Sequence, residues 1–143
     1  MFPPQRPLFG FTIGLGRTFG HPEAFVIGLP PQVMFQMLEN VAKAVAGGHR
    51  FEPGARTEVI LERLSCELRP VDAAWHDVFL EPLRMFYEAE PLQVLQVVWP
   101  DRQGKLPGDE GYDAAYLARQ PQLHHADAER AGMLPLLKAM GRA

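Results

Sequence analysis

Residues 92–99, Leu-Gln-Val-Leu-Gln-Val-Val-Trp, form the strongest predicted strand of the chain. Pro91 and Pro100 bound this segment, and proline has no backbone N–H to donate to a β-ladder. A short, nearly continuous apolar run between such residues is typical of a strand that is buried on both faces of a sheet. The segment therefore predicts a central strand, around which the rest of the chain is arranged.

Two more apolar segments lie near the N-terminus on either side of a polar loop. Residues 8–16 and 24–29 each predict a strand, and residues 17–23 predict the loop between them. The simplest arrangement for two strands joined by a short loop is an antiparallel hairpin. Residues 1–7, which are rich in proline, predict a loose lead-in.

The middle of the chain predicts one long helix and then a second pair of strands. Apolar side chains recur at three- and four-residue spacing after Pro30-Pro31, and Gly47-Gly48 marks the helix end. Farther on, apolar and polar residues alternate in two short runs, as they do in half-buried strands. The elements predicted here are a helix over 31–46, strands over 57–62 and 64–71, and helical turns over 72–80 and 82–87.

The last third of the chain predicts a long loop over residues 100–125 and a helix over 126–141, bent or restarted at Pro135. The predicted order is thus β-β-α-β-β-α-β-loop-α, without strict alternation of strands and helices. This order indicates the α+β class, with a mainly antiparallel sheet of about five strands covered by two to three helices. A length of 143 residues predicts a single globular domain.

Composition argues against several classes of protein. The net charge is −3 and the arginines are scattered singly, whereas a nucleic-acid binder usually has a basic stripe. No stretch has the roughly 18 apolar residues of a membrane span, and the first residues lack the pattern of a signal peptide. The single cysteine, Cys66, excludes an intramolecular disulfide. We therefore expect a cytoplasmic protein that binds neither nucleic acid nor membrane.

The loop at residues 17–23 contains the first group of candidate site residues, Arg17, His21 and Glu23. A histidine titrates near neutral pH and a nearby carboxylate can fix its tautomer, so His21 is a candidate general base. Residues two apart in a turn need not face each other, however. The alternative is that His21 and Glu23 only satisfy backbone groups of the loop.

The end of the central strand contains the second group, Trp99, Asp101 and Arg102. An indole, an acid and a guanidinium can hold a planar polar ligand by stacking and directed hydrogen bonds. The alternative is that Trp99 closes the core while Asp101 and Arg102 shape the turn that leads into Gly104. If the central strand runs in the right direction beside 8–16 or 24–29, both groups share one end of the sheet.

Other chemistry has weaker support in the sequence. Cys66 lies in a predicted strand without a nearby histidine, which favours a buried, inert thiol over a nucleophile. His124-His125 lacks the spacing of metal ligands, so we expect no metal. Gly14-Leu-Gly16 resembles part of a phosphate-binding loop, but Phe19 stands where the third glycine belongs. We expect no cofactor.

Several short motifs resemble those of a bacterial family catalogued as domain-of-unknown-function family 4262. The matching pieces are Thr12-Ile-Gly-Leu15, Gly20-His-Pro-Glu23, Gly28-Leu-Pro-Pro31, Phe51-Glu-Pro-Gly54, Leu95-Gln-Val-Val-Trp-Pro-Asp-Arg102 and Gln120-Pro121. Gly108 departs from the pattern, and the segment after residue 124 has no counterpart. The resemblance implies a bacterial, cytosolic, single-domain protein, and it implies no particular activity.

These observations favour a small domain that binds a small polar ligand between loops 17–23 and 99–107. One alternative is an interaction or structural module without a ligand site. A third hypothesis is a hydrolase or transferase with His21 as general base, so whether the protein is an enzyme stays open, as does a homodimer.

Overall fold

The structure is a computed structural model that describes residues 7–88 and 91–141. In this part of the chain, five strands form one sheet: β1 (Phe9–Phe11), β2 (Glu23–Ile27), β3 (Arg56–Leu61), β4 (Leu64–Pro70) and β5 (Val94–Val98). Their order across the sheet is β1-β2-β5-β4-β3, which puts the predicted central strand in the middle. All neighbouring strands are antiparallel except β2 and β5, which are parallel. The predicted α+β class with a mainly antiparallel sheet is confirmed.

The helices connect and cover the strands. The described α-helices are α1 (Leu15–Phe19), α2 (Pro31–Ala46), α3 (His76–Phe79), α4 (Glu81–Tyr87), α5 (Ala128–Ala131) and α6 (Leu134–Ala139), with 3₁₀ turns at Ala73–Trp75 and Ala114–Ala118. None of them combines the length and apolar character of a membrane-spanning helix. The long helix matches its predicted bounds because Pro31 starts it without losing a needed N–H and Gly47 follows its end.

Each face of the sheet has its own apolar core. The buried side of α2, including Met37 and Val41, packs on one face together with alternate strand residues such as Val26, Leu68 and Val97. The other face is covered by α3, α4 and the C-terminal helices over β1, β2 and the first residue of β5. On β4 this second face has charged side chains instead, because Glu67 and Arg69 alternate with core residues. The second face is thus apolar on one half and polar on the other.

The segment before β2 differs from the prediction. The strand predicted over 8–16 ends at Phe11, and Leu15–Phe19 is a helix instead of the end of a strand and a loop. Gly14 has a φ of 113°, a left-handed conformation that turns the chain away from the sheet and is cheap only for glycine. Strands β1 and β2 still form the predicted antiparallel hairpin, with this helix within the connection.

The C-terminal third also departs from its prediction. The helix predicted over 126–141 is two short helices, because Gly132 ends the first with a φ of 74° and Pro135 lies in the first turn of the second. The loop predicted over 100–125 contains the 3₁₀ turn at Ala114–Ala118. The predicted lead-in falls mainly on residues 1–6, outside the described residues.

Candidate functional site

The structure separates the two predicted groups of site residues. Because β2 and β5 are parallel, Glu23 lies beside Val94 at the first end of both strands. Trp99 follows the other end of β5, where its indole N–H donates to the Ile27 carbonyl at 2.7 Å. Five residues of strand, about 16 Å, therefore lie between the two groups. Loops 17–23 and 99–107 do not open onto a common pocket, so the joint site of Arg17, His21, Glu23, Trp99, Asp101 and Arg102 is not formed.

In the first group, Glu23 acts as a helix cap supplied by another element. Its buried carboxylate accepts hydrogen bonds from the Gly14 and Leu15 N–H groups at 2.7 and 3.2 Å, and from the Thr12 hydroxyl at 2.7 Å. The first turn of a helix has N–H groups without partners within the helix. Gly14 has no side chain to bind them, so Glu23 from β2 does so.

Tyr87, at the end of α4, completes this cap. Its hydroxyl donates to Glu23 and accepts from the Gly16 and Arg17 N–H groups at 3.0 and 3.3 Å. Burial raises the pKa of Tyr87, and the bond to the Glu23 carboxylate raises it further. A side chain at position 16 would come within 2.8 Å of the Tyr87 oxygen, so glycine is required there. No motif in the sequence points to Tyr87, and the local signal for such a partner is a helix that begins without a capping side chain.

His21 has both ring nitrogens occupied by the backbone. Nε2 accepts from the Phe51 N–H at 2.9 Å, which places the proton on Nδ1, and Nδ1 donates to the Pro22 carbonyl at 2.8 Å. Neither nitrogen is free to take a proton from a substrate. The hypothesis of His21 as general base therefore has no support in this geometry, and the alternative, a residue that fixes the loop, fits it.

Arg17 lies at the surface beside the same helix. Its guanidinium stacks 4.2 Å from the centre of the Phe86 ring and donates to the Phe86 carbonyl at 2.8 Å. A small cavity of about 290 Å³ borders His21, Glu23 and Tyr87. The hydrogen-bonding groups of His21, Glu23 and Tyr87 that border it are already bound within the protein, so these three side chains stabilise this end of the sheet.

In the second group, Trp99 and Asp101 are also bound within the protein. Trp99 is buried, and the Asp101 carboxylate accepts from the Gln103, Lys105 and Asp113 N–H groups at 2.9 Å each. Burial by itself raises the pKa of Asp101, but these backbone donors outweigh it and the pKa is lowered. Arg102 is exposed, and its side chain forms no hydrogen bond or ion pair with another described residue. The geometry fits the alternative for two of these residues, since Trp99 closes the core and Asp101 shapes the turn.

Buried glutamines fasten the segment after this turn onto the polar half of the sheet. The side-chain amide of Gln120 accepts from the Trp99 N–H at 2.7 Å and donates to the Trp99 carbonyl at 3.0 Å, as a neighbouring strand would. Gln96 in β5 similarly donates to Pro121 at 2.9 Å and accepts from Leu123 at 3.1 Å. The segment is therefore fastened to β5, the neighbour of β4 in the sheet.

Between β4 and this segment lies a cavity of about 720 Å³. Its charged side chains are Glu67 and Arg69, which project from the rigid strand β4. Gly54 and Pro70 border these charges, and the segment opposite contributes the rest of the wall: Pro107, Gly108, Leu117, Gln122, His124 and His125. Apart from Pro107 at the edge of loop 99–107, none of these residues belongs to the predicted site.

Arg69 is the most highly connected side chain of the cavity. It donates from Nε to Glu67 at 2.5 Å, from Nη1 to the Gln122 side chain at 2.7 Å, and from Nη2 to the Pro107 carbonyl at 2.7 Å. Its side chain is only 15% exposed. A guanidinium has five N–H donors, so two of them have no partner among the described residues. A fixed, partly used guanidinium is well suited to bind a ligand.

Glu67 links Arg69 to a second ion pair. Its other oxygen accepts from Arg56 Nε at 3.0 Å, and Arg56 also binds Asp109 through both carboxylate oxygens, at 2.7 and 3.1 Å. The Arg56 guanidinium lowers the pKa of Asp109 to about 2. Positive and negative groups alternate along this chain, so the charged wall of the cavity has no net charge.

His124 borders the same cavity. Its Nδ1 is buried without a hydrogen-bond partner in the described part of the chain, which is uncommon for a buried polar atom. The rings of His124 and His125 lie 4.0 Å apart. Burial lowers the pKa of His124, and the neighbouring His125 and Arg69 lower it further. These effects favour the neutral form of the imidazole.

A family model described as a domain of unknown function, DUF4262, matches residues 2–113. The chain belongs to the DUF4262 family. The match includes Glu67 and Arg69 but ends before Leu117, Gln122 and the two histidines, so the DUF4262 region supplies the charged wall and only part of the segment opposite. No curated protein and no solved structure matches the chain.

Proposed function

We propose that this protein binds a small polar ligand in the cavity between β4 and residues 107–125. The observation that carries the proposal is Arg69, a nearly buried guanidinium with two uncommitted donors at the wall of a cavity of about 720 Å³. Ligand sites are typically concave, have apolar walls and a few fixed polar groups, and occupy about 300–1,000 Å³. The proposal keeps the predicted class of function and moves the site.

The polar groups of this cavity are fixed before a ligand arrives, which supports binding. Arg69 is held by three acceptors, and the segment opposite is held by the paired amides of Gln96 and Gln120. A preformed site loses little conformational entropy when it binds. The two most exposed large apolar side chains, Phe35 on α2 and Met85 on α4, belong to helices on opposite faces of the sheet and do not form one patch together.

The remaining expectations on partners and location belong to the same proposal. A net charge of −3 supports a ligand other than nucleic acid. Cys66 is fully buried, and burial raises the pKa of its thiol to about 12. An inert, unpaired thiol suits the reducing cytoplasm of a bacterial cell, which is where we propose that the protein acts.

A thermal-shift screen against nucleotides, flavins and common metabolites tests the proposed function. Leu117, which is 39% exposed at the cavity wall, is replaced by Trp to fill the site. Leu134→Trp is the matched control, because Leu134 is 46% exposed and lies outside this cavity. At a concentration of 100 times Kd a ligand stabilises by about 2.7 kcal/mol, which is a rise in Tm of roughly 8 °C.

We expect at least one compound to raise the Tm of the wild type and of Leu134→Trp but not of Leu117→Trp. If no compound in the screen raises the Tm, or if Leu117→Trp responds as the wild type does, the cavity is not the site.

A further inference from the structure

The charges at the cavity restrict the kind of ligand that fits. Glu67 and Arg69 are the charged residues of its wall, and their atoms Oε2 and Nε are 2.5 Å apart. A purely anionic ligand on Arg69 would be repelled by the negative charge of Glu67 at nearly the same distance. A purely cationic ligand on Glu67 would likewise be repelled by Arg69. In both cases the attraction and the repulsion are of similar size. Only a ligand that carries both charges is attracted to both residues.

The spacing of the pair restricts the ligand further. Two opposite charges that lie next to each other form a dipole, and a second dipole binds beside it in the antiparallel sense. The two charged groups of the ligand must then be only about 3 Å apart. Standard bond lengths place the ammonium nitrogen and the carboxylate oxygens of an α-amino acid at about this separation.

Both residues have unused hydrogen-bonding capacity for such groups. Arg69 keeps two N–H donors, which suit a carboxylate. Each Glu67 oxygen accepts one donor, from Arg56 or Arg69, and a carboxylate oxygen accepts about two. The two side chains are 15% and 14% exposed, so a ligand that covers them forms its ion pairs away from bulk water.

The rest of the wall matches an apolar ligand side chain. Pro70 and Pro107 border the pair, and Leu117 lies across the cavity. Gly108 leaves open space, since no atom lies within 4 Å of where a Cβ would be. Apolar area beside a fixed charged pair favours a ligand with an aliphatic group next to its charges.

From this arrangement we infer that the ligand is a small zwitterion, an α-amino acid with an aliphatic side chain, whose carboxylate binds Arg69 and whose ammonium binds Glu67. The inference rests on the proposed function and names the ligand class of the same cavity. Neither charged residue is one that the sequence patterns singled out.

Isothermal titration of the full chain with three probes tests the inference. L-Leucine carries both charges, N-acetyl-L-leucine lacks the ammonium, and L-leucine methyl ester lacks the anionic carboxylate. We expect leucine to bind and each derivative to bind at least about tenfold more weakly, because each loses one ion pair. Equal affinity of leucine and either derivative would refute the zwitterion.

A charge-changing variant gives a second, independent outcome. Glu67→Gln keeps the size and the acceptor oxygen of the side chain but removes its negative charge. We expect it to bind leucine at least about tenfold more weakly and N-acetyl-leucine more tightly than the wild type does, because an anion no longer meets Glu67. If the affinity for N-acetyl-leucine does not rise in a variant that unfolds cooperatively, the assigned role of Glu67 is wrong. If this variant does not fold, the three probes on the wild type decide.

The outcome separates the two proposals. If leucine does not bind but another compound from the thermal-shift screen does, and Leu117→Trp abolishes its binding, the site stands and the amino-acid inference is overturned. If no compound binds at all, the site itself is refuted.

Discussion

Tyr87 offers the strongest test of how this fold is held together. The change Tyr87→Phe removes one oxygen that binds three groups: the Glu23 carboxylate and the N–H groups of Gly16 and Arg17. The bond to the carboxylate is charge-assisted and contributes about 1.5–3 kcal/mol. Loss of a helix cap costs about 1 kcal/mol. We therefore expect the free energy of unfolding to fall by about 3 kcal/mol.

Urea unfolding followed by circular dichroism measures this loss. The midpoint is expected to fall at an unchanged m value, because the variant buries the same surface as the wild type. In a chain of this length the same loss lowers Tm by roughly 9 °C. Tyr116→Phe is the matched control, since the Tyr116 hydroxyl forms no hydrogen bond with the described residues. It is expected to stay within about 0.5 kcal/mol of the wild type.

A double-mutant cycle separates the cap from a simple loss of packing. Glu23→Gln alone weakens the same cap, so the two changes together should cost less than the sum of the single changes, by at least about 1 kcal/mol. If Tyr87→Phe and Tyr116→Phe have equal stability, or if the two changes at the cap are additive, the hydroxyl does not hold α1 as described.

Three further outcomes follow from other parts of the molecule. Burial lowers the pKa of His76 and His124 below the ordinary value of about 6.5, so the unfolded chain takes up protons first and stability falls as pH drops from 7.5 to 5.5. Replacement of both residues by Gln should make the urea midpoint fall less over this pH range. A midpoint that depends on pH as it does in the wild type would contradict this. Gln120→Ala leaves the backbone N–H and carbonyl of Trp99 unpaired and should lower the free energy of unfolding in urea by about 3 kcal/mol. Gln103→Ala, at an exposed position, should lower it by less than about 0.5 kcal/mol. Cys66 should not react with a thiol reagent at pH 8 until the protein unfolds, because burial raises the pKa of its thiol to about 12. Rapid labelling of the folded protein would contradict this.

The elements that sequence patterns predict best are those with a strong local cause. The central strand over 92–99 is recognisable because its apolar run is bounded by two prolines, and the helix over 31–46 because its spacing, its start and its stop agree. α1 was missed because its cap comes from Glu23 and Tyr87, which lie on other elements. A pattern in neighbouring residues contains no signal for such a partner. The single-domain organisation stays a prediction.

The candidate site could not be predicted for a related reason. Glu67 and Arg69 look like the outward residues of an ordinary alternating strand, and most such charges lie in solvent. Their burial depends on a segment about 40 residues later, held there by glutamine side chains instead of a strand. Short-range sequence patterns contain no signal for those hydrogen bonds, which act together with the buried side chain of Leu123.

The direction of one strand pair explains why the predicted site and the observed cavity differ. Had β5 been antiparallel to β2, the loop at 17–23 and the residues after β5 would lie at the same end of the sheet. Because the two strands are parallel, β5 ends at the opposite end of the sheet, where Trp99 follows it. From there the chain returns over the polar half of the sheet, where Gln96 and Gln120 hold it above β4. The same pairing that separates His21 from Trp99 therefore brings residues 107–125 to Arg69, so the position of the cavity follows from the topology of the sheet.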